Sequence, residues 1–256
     1  MIRKLTLPVA AFFALIIIPH RTFSQDAGKY FMITVLDKDT RRGVPLVELK
    51  TTNGQRFYTD SQGRIAFYEP DLMNQKITFS VFSHGYECPP DLPGNSGISL
   101  TAIPGASSSV DITRVNIAER LYRITGQGIY AESAKLGLPI PIRHQALNGK
   151  VLGQDTFIET QYKEKLYWFW GDTEGPAQFN GKASGATSEL PTQGGLDPSV
   201  GVELSYFVDS SGFCKPICPF GGPTLVWIQW LVTLRDNNGE HLYALYKCIN
   251  RDGKPG

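Results

Sequence analysis

Cysteine is scarce in this chain of 256 residues, with four in all: Cys88, Cys214, Cys218 and Cys248. That count excludes a small scaffold built on disulfides. Charge of one sign is lacking as well. Lys and Arg number 25 against 24 Asp and Glu, a formal net charge of +1. The balance excludes a nucleic-acid binder working through bulk positive charge, and also an acidic solvating tail. The 26 Gly and 17 Pro follow no three-residue period, which excludes a collagen-like helix. No window of residues 28–115 comparable in length to its strands shows a 3.6-residue apolar period. There is no Gly-rich phosphate loop, nucleophile elbow or metal-ligand helix. What is present is enough apolar surface for a core: hydrophobic residues make up 41% and charged residues 19%, which argues against wholesale disorder.

One long apolar run exists, at residues 5–19, behind the basic pair Arg3 and Lys4. Thr22 and Ser24 then place small residues at the −3 and −1 positions of a cut before Gln25. This is the three-part layout of a secretory signal peptide, expected to span residues 1–24. The run falls short of the ~20 residues that a membrane-spanning helix needs, and Pro8 and Pro19 weaken it further. No Cys follows it to carry a lipid, and no later segment reaches spanning length. The expectation is a secreted or periplasmic protein with no membrane span after cleavage. In such a compartment four cysteines permit two disulfides in three pairings. A local disulfide or plain buried thiols are the alternatives. A zinc site at Cys214 and Cys218 lacks a second Cys or His pair nearby.

Residues 28–115 read as short strands between turns. Segments 30–36, 44–50, 55–59, 64–68, 76–82 and 108–115 are rich in aromatic and β-branched residues or alternate in polarity. Asn53-Gly54 and 60–63 (DSQG) supply the turns between them. This spacing predicts an all-β sandwich. Residues 116–150 read as a connector, in which 116–123 either forms a short helix or extends along the sandwich. Gly126, Gly128, Gly137, Pro139 and Pro141 oppose any long element there.

Several of these residues carry a resemblance. Val35-x-Asp37, Gly43-Val44-Pro45-Leu46-Val47, the run 58–67 (YTDSQGRIAF), and Ile77-x-Phe79-x-Val81 followed by Gly85-Tyr86 together resemble the carboxypeptidase regulatory-like domain. The match covers roughly a third of the chain and is interrupted by an inserted loop at 87–96. The resemblance implies a transthyretin-type sandwich serving as a non-catalytic spacer or attachment module.

From residue 151 the texture changes. Segments 155–160, 166–170, 183–190 and 202–208 are four strand candidates, enough for one blade of a β-propeller. Segments 225–234 and 240–249, joined by 236–239 (DNNG), echo the first two: Leu166-Tyr167 matches Leu242-Tyr243, and Trp170 matches Tyr246. The expected fold class is therefore all-β, an N-terminal sandwich plus an incomplete propeller over 151–256. A ring typically takes ~4–8 blades. One blade and part of a second favour a shortened reading frame.

Residues 154–158 (QDTFI) and 165–173 (KLYWFWGDT) resemble the first blade of five-bladed propeller glycosidases that degrade arabinan and xylan. The resemblance implies that Asp155 is the general base, with the opposed acid coming from a later blade. Thr156 departs from the Pro usual at that position. An inverting hydrolase needs two carboxyl groups ~6.5–9.5 Å apart, so this fragment is expected to show no turnover. The residues themselves leave alternatives. Asp155 is either a base or a turn carboxylate that binds backbone N–H groups. Trp168 and Trp170 are either core residues or a sugar-stacking surface. Asp172 and Asp197 are either substrate contacts or turn formers. The two functions weighed are an exported carbohydrate-associated, glycosidase-like protein acting on a polysaccharide, and a non-catalytic exported binding or structural module. Neither reading calls for a cofactor or metal, and oligomeric state is left open.

Overall fold

The computed structural model describes residues 27–89, 97–144, 147–218 and 225–249. The expected signal peptide at 1–24, most of the inserted loop at 87–96 and the closing residues after 249 lie outside these residues. The chain is all-β apart from one short α-helix and three single 3-10 turns among the described residues.

The first part contains β1 (Phe31–Asp37), β2 (Glu48–Thr51), β3 (Arg56–Tyr58), β4 (Arg64–Phe67), β5 (Lys76–Phe82), β6 (Tyr86–Glu87), β7 (Ile98–Thr101) and β8 (Ser107–Arg114). They form two four-stranded sheets, ordered β4-β1-β8-β6 and β3-β2-β5-β7. Pairing is antiparallel except between β1 and β8, which run parallel with Val35 opposite Val110. Alternation decides which side chains face inward. In β1 these are Phe31, Ile33 and Val35; in β5, Ile77 and Phe79. The inner faces of both sheets meet in one core, where Phe67 stands edge-on to Phe79 at 5.6 Å and tilted to Phe57 at 5.0 Å. Residues 44–47 fall outside any strand, unlike the expected run 44–50. Val44 and Val47 are nonetheless fully buried, because the chain turns there through Leu46 at φ 57°.

The connector extends along the sandwich rather than coiling at 116–123, and its helix comes later, at α1 (Ala131–Lys135). It is bound to the sandwich by backbone. Ser61 N donates to Ile129 O at 2.8 Å and Arg123 N to Ser61 Oγ at 3.1 Å.

The second part contains β9 (Gly153–Gln154), β10 (Phe157–Tyr162), β11 (Lys165–Trp170), β12 (Thr173–Glu174), β13 (Phe179–Asn180), β14 (Ser184–Glu189), β15 (Ser205–Tyr206), β16 (Leu225–Asp236) and β17 (Gly239–Ile249). An antiparallel sheet β10-β11-β14-β15 follows chain order, as the four strand candidates predict, and β13-β12-β9 form a small neighbouring sheet. The hairpin turn between β10 and β11 holds Lys163 and Glu164 at φ 47° and 62°, the left-handed pair of a two-residue turn. Strand β11 is covered on both sides. Trp168 and Trp170 pack with Ala186 and Leu204 on one face. Phe169 packs with Ala183, Ile228 and Leu231 of the β16–β17 hairpin on the other.

Two glycines with positive φ separate local from tertiary demand. Gly63 sits at φ 71°, and a Cβ there would stand 2.5 Å from both Gly43 Cα and Val35 O. Gly54 sits at φ 91° with open space around it. Gly54→Ala should therefore cost about 1–2 kcal/mol for left-handed backbone alone. Gly63→Ala should cost clearly more, because backbone must move as well. Urea unfolding of the two variants side by side checks this; equal losses would contradict the backbone crossing.

Candidate functional site

The site grows from β11. Residues Leu166, Trp168 and Trp170 alternate onto one face of the sheet. Trp170 packs against Tyr206 at 5.4 Å. Trp168 is 6% exposed, stacks on Phe157 at 5.9 Å, and donates its indole N–H to Ser188 Oγ at 2.8 Å. That bond satisfies the polar end of a ring otherwise held in apolar surroundings. Leu166 and Trp168 line a cavity of about 460 Å³ whose other walls come from residues 188–205, Pro141, Arg143 and Tyr122.

The loop after β14 gives the cavity its shape. Gly194 has φ 89°, and a Cβ on Gly195 would lie 2.2 Å from Glu189 O, so the chain turns back tightly over the strand end. Asp197 then accepts the Ser199 amide at 2.7 Å, and its bonds to Ser199 hold its carboxyl below the usual range. The loop is anchored to the connector through two phenols: Tyr122 Oη donates to Pro198 O at 2.9 Å and Tyr130 Oη to Val200 O at 3.0 Å. Arg42 of the sandwich donates to Ser199 O.

Polar groups sit around this apolar floor. Glu203 accepts the Arg143 amide through Oε2 at 2.6 Å, with the Arg143 guanidinium 3.7 Å away. Glu203 Oε1 is buried without a hydrogen-bond partner. Glu189 accepts Lys165 Nζ at 2.6 Å. Burial raises the Tyr122 phenol, which stays protonated and able to donate. The arrangement suits a ligand with an apolar face and several hydroxyls.

The residues singled out from sequence go to different places. Trp168 lines the cavity, but as a mostly buried floor residue. Trp170 lies in the core beneath it. Asp155 is exposed, does not line the cavity, and accepts the Asp172 amide through Oδ1 at 2.9 Å. Thr156 beside it has φ 43°, a value closed to proline, whose ring fixes φ near −65°. Asp172 accepts the indole N–H of Trp227 at 3.0 Å and so ties the hairpin to the sheet. Asp197 closes an Asx turn at the cavity's edge. Tyr122, Arg143, Glu189 and Glu203 belong to no sequence motif. They come from separate stretches, and only the fold brings them together.

Below the cavity floor lies a buried neutral network. Tyr206 Oη donates to Gln154 Oε1 at 2.9 Å; Gln154 Nε2 donates to Ser184 Oγ at 2.9 Å and Thr173 Oγ1 at 3.1 Å. Cys214 lies against it, fully buried, with Sγ 3.9 Å from Gly185 O. Burial pushes its thiol up to about 11, so it is not an activated nucleophile. Among the described residues no cluster of three or more His, Cys, Asp or Glu could hold a metal, and no helix is long and apolar enough to cross a membrane.

The raised Cys214 value fixes a pH dependence. The unfolded thiol ionises near its ordinary 9.0, while the folded one keeps its proton to about 11. Its contribution to stability is complete below pH 9 and is lost as pH rises toward 11, to the extent of roughly 2 kcal/mol. Urea unfolding from pH 8 to 11 should show this loss, and Cys214→Ala should flatten the slope. An unchanged slope in the variant would refute the assignment.

Searches against protein-family models, curated proteins and solved structures find no match to this chain.

Proposed function

We propose that this chain is an exported carbohydrate-associated protein whose cavity over Trp168 takes a segment of polysaccharide. The observation that carries the reading is the cavity itself: a tryptophan and leucine floor beneath Tyr122, Arg143, Glu189 and Glu203. Sugars combine an apolar ring face with hydroxyls that bond to charged and amide groups, and charged partners give the stronger bonds. The signal-peptide layout of residues 1–24 supports export. The regulatory-like motifs of 28–115 support an attachment role for the sandwich.

Binding without turnover is the form these residues favour. Asp155 is engaged by the Asp172 amide, and Glu189 is ion-paired to Lys165. A glycosidase reading keeps one observation in its favour. The β16–β17 hairpin layers onto the β10–β15 sheet through Phe169, Ile228 and Leu231, as a second blade would on a first.

Arg143 offers a clean test, because its side chain is 73% exposed and supports no core. Affinity electrophoresis in gels containing arabinan or xylan should retard the protein. Arg143→Ala should weaken binding roughly tenfold, the loss of one charge-assisted bond, with an unchanged circular dichroism spectrum. Asp155→Asn should bind as the parent does. Failure of both polysaccharides to retard the parent protein would overturn the proposal, and release of reducing sugar that Asp155→Asn abolishes would restore the glycosidase reading.

A further inference from the structure

The cysteines left open by the sequence are separated by the fold. Cys214 is fully buried against Gly185 O, and Cys88 lies in the sandwich part, beside its core. Cys218 and Cys248 are both half-buried and belong to the second part.

Three observations bring these two thiols toward one another. Cys218 packs into the apolar layer between the four-stranded sheet and the hairpin, together with Leu242, Ile228 and Leu231. On β17, residues 242, 244, 246 and 248 share a face, so Cys248 projects from the same side as Leu242. Its cross-strand partner is Val226, which is fully buried on that inner side. The backbone links the two positions: Ala183 N donates to Val226 O at 2.7 Å, and Ile217 N, next to Cys218, donates to Ala183 O at 2.9 Å. Beside this geometry, burial raises the Cys218 thiol first and Cys248 raises it second. All four cysteines are thiols in the structure.

We propose that Cys218 and Cys248 form a disulfide that fastens the end of the hairpin to the loop after Cys214. The oxidant is of the disulfide class, such as oxidised glutathione. One thiolate attacks its S–S bond, giving a mixed disulfide and releasing one thiolate. The second cysteine thiolate then attacks the protein sulfur of that mixed disulfide and releases the other. An S–S bond forms in the protein, another breaks in the oxidant, and two protons pass from the cysteines to the products. The bond would close a loop across the sheet–hairpin layer and restrict the unfolded chain. Its formation does not depend on what the cavity binds.

The test uses the full chain equilibrated in oxidised glutathione, alkylated without reduction, digested, and mapped by mass spectrometry. A single linked peptide pair containing Cys218 and Cys248 is expected, with Cys214 alkylated only after denaturation. The oxidised protein should unfold roughly 5 °C higher than the reduced one. Dithiothreitol should reverse that gain, and Cys218→Ser and Cys248→Ser should each abolish it. A Cys214–Cys218 link, a link from either residue to Cys88, or four thiols surviving the oxidant would overturn the proposal. The peptide map of the parent protein distinguishes these outcomes even if a serine variant fails to fold.

Discussion

One buried carboxylate organises the junction on which the rest of the molecule depends. Asp60 is 2% exposed and uses both oxygens. Oδ1 accepts the amides of Gln62 at 2.9 Å and Arg64 at 3.2 Å, closing the turn between β3 and β4. Oδ2 reaches across to the Ser133 amide at 2.7 Å, at the start of α1. A carboxyl group so far from water is tolerable only when hydrogen bonds satisfy it, as these three amides do. Arg123 joins the same junction, donating its amide to Ser61 Oγ at 3.1 Å. Glu132 adds a second clasp by accepting the Ala66 amide at 2.9 Å. The connector is thus part of the fold, not a tether.

That fixed connector positions the cavity. Ile129, Tyr130 and Ile142 pack with Leu196, and the phenols of Tyr122 and Tyr130 hold the carbonyls of Pro198 and Val200. The loop from 190 to 204 is consequently suspended between the connector and the face of β11. The hollow remains where the loop arches over Leu166 and Trp168. Polar groups such as Arg143 and Glu203 are held by one another rather than by the core.

Strand β11 shows why its aromatic run reads ambiguously. A strand exposed on one side alternates apolar with polar residues, but a strand covered on both sides does not. Residues 166–170 (LYWFW) are apolar throughout because connector and loop cover one face while the hairpin covers the other. The hairpin's outer face keeps Trp230, Leu234, Tyr243 and Leu245 exposed among the described residues. Burial also explains why Trp168 and Trp170 are mainly packing residues even where one of them meets the cavity.

The sequence alone determined the β class, most strands, and the turns at 53–54, 60–63 and 236–239, because those signals are local and follow from backbone sterics. It also marked Asp155 and Asp197 as plausible turn carboxylates, the role in which both bind amides. It erred by placing β10 two residues early, since residues 155–156 are spent on the turn that receives the Gly171 amide. Tertiary structure decided the rest: the parallel pairing of β1 with β8, the docking of the connector through Asp60, and the assembly of Tyr122, Arg143, Glu189 and Glu203 around one hollow. These depend on contacts between residues far apart in the chain. No periodicity encodes them, because each side chain becomes informative only when the surface facing it is known.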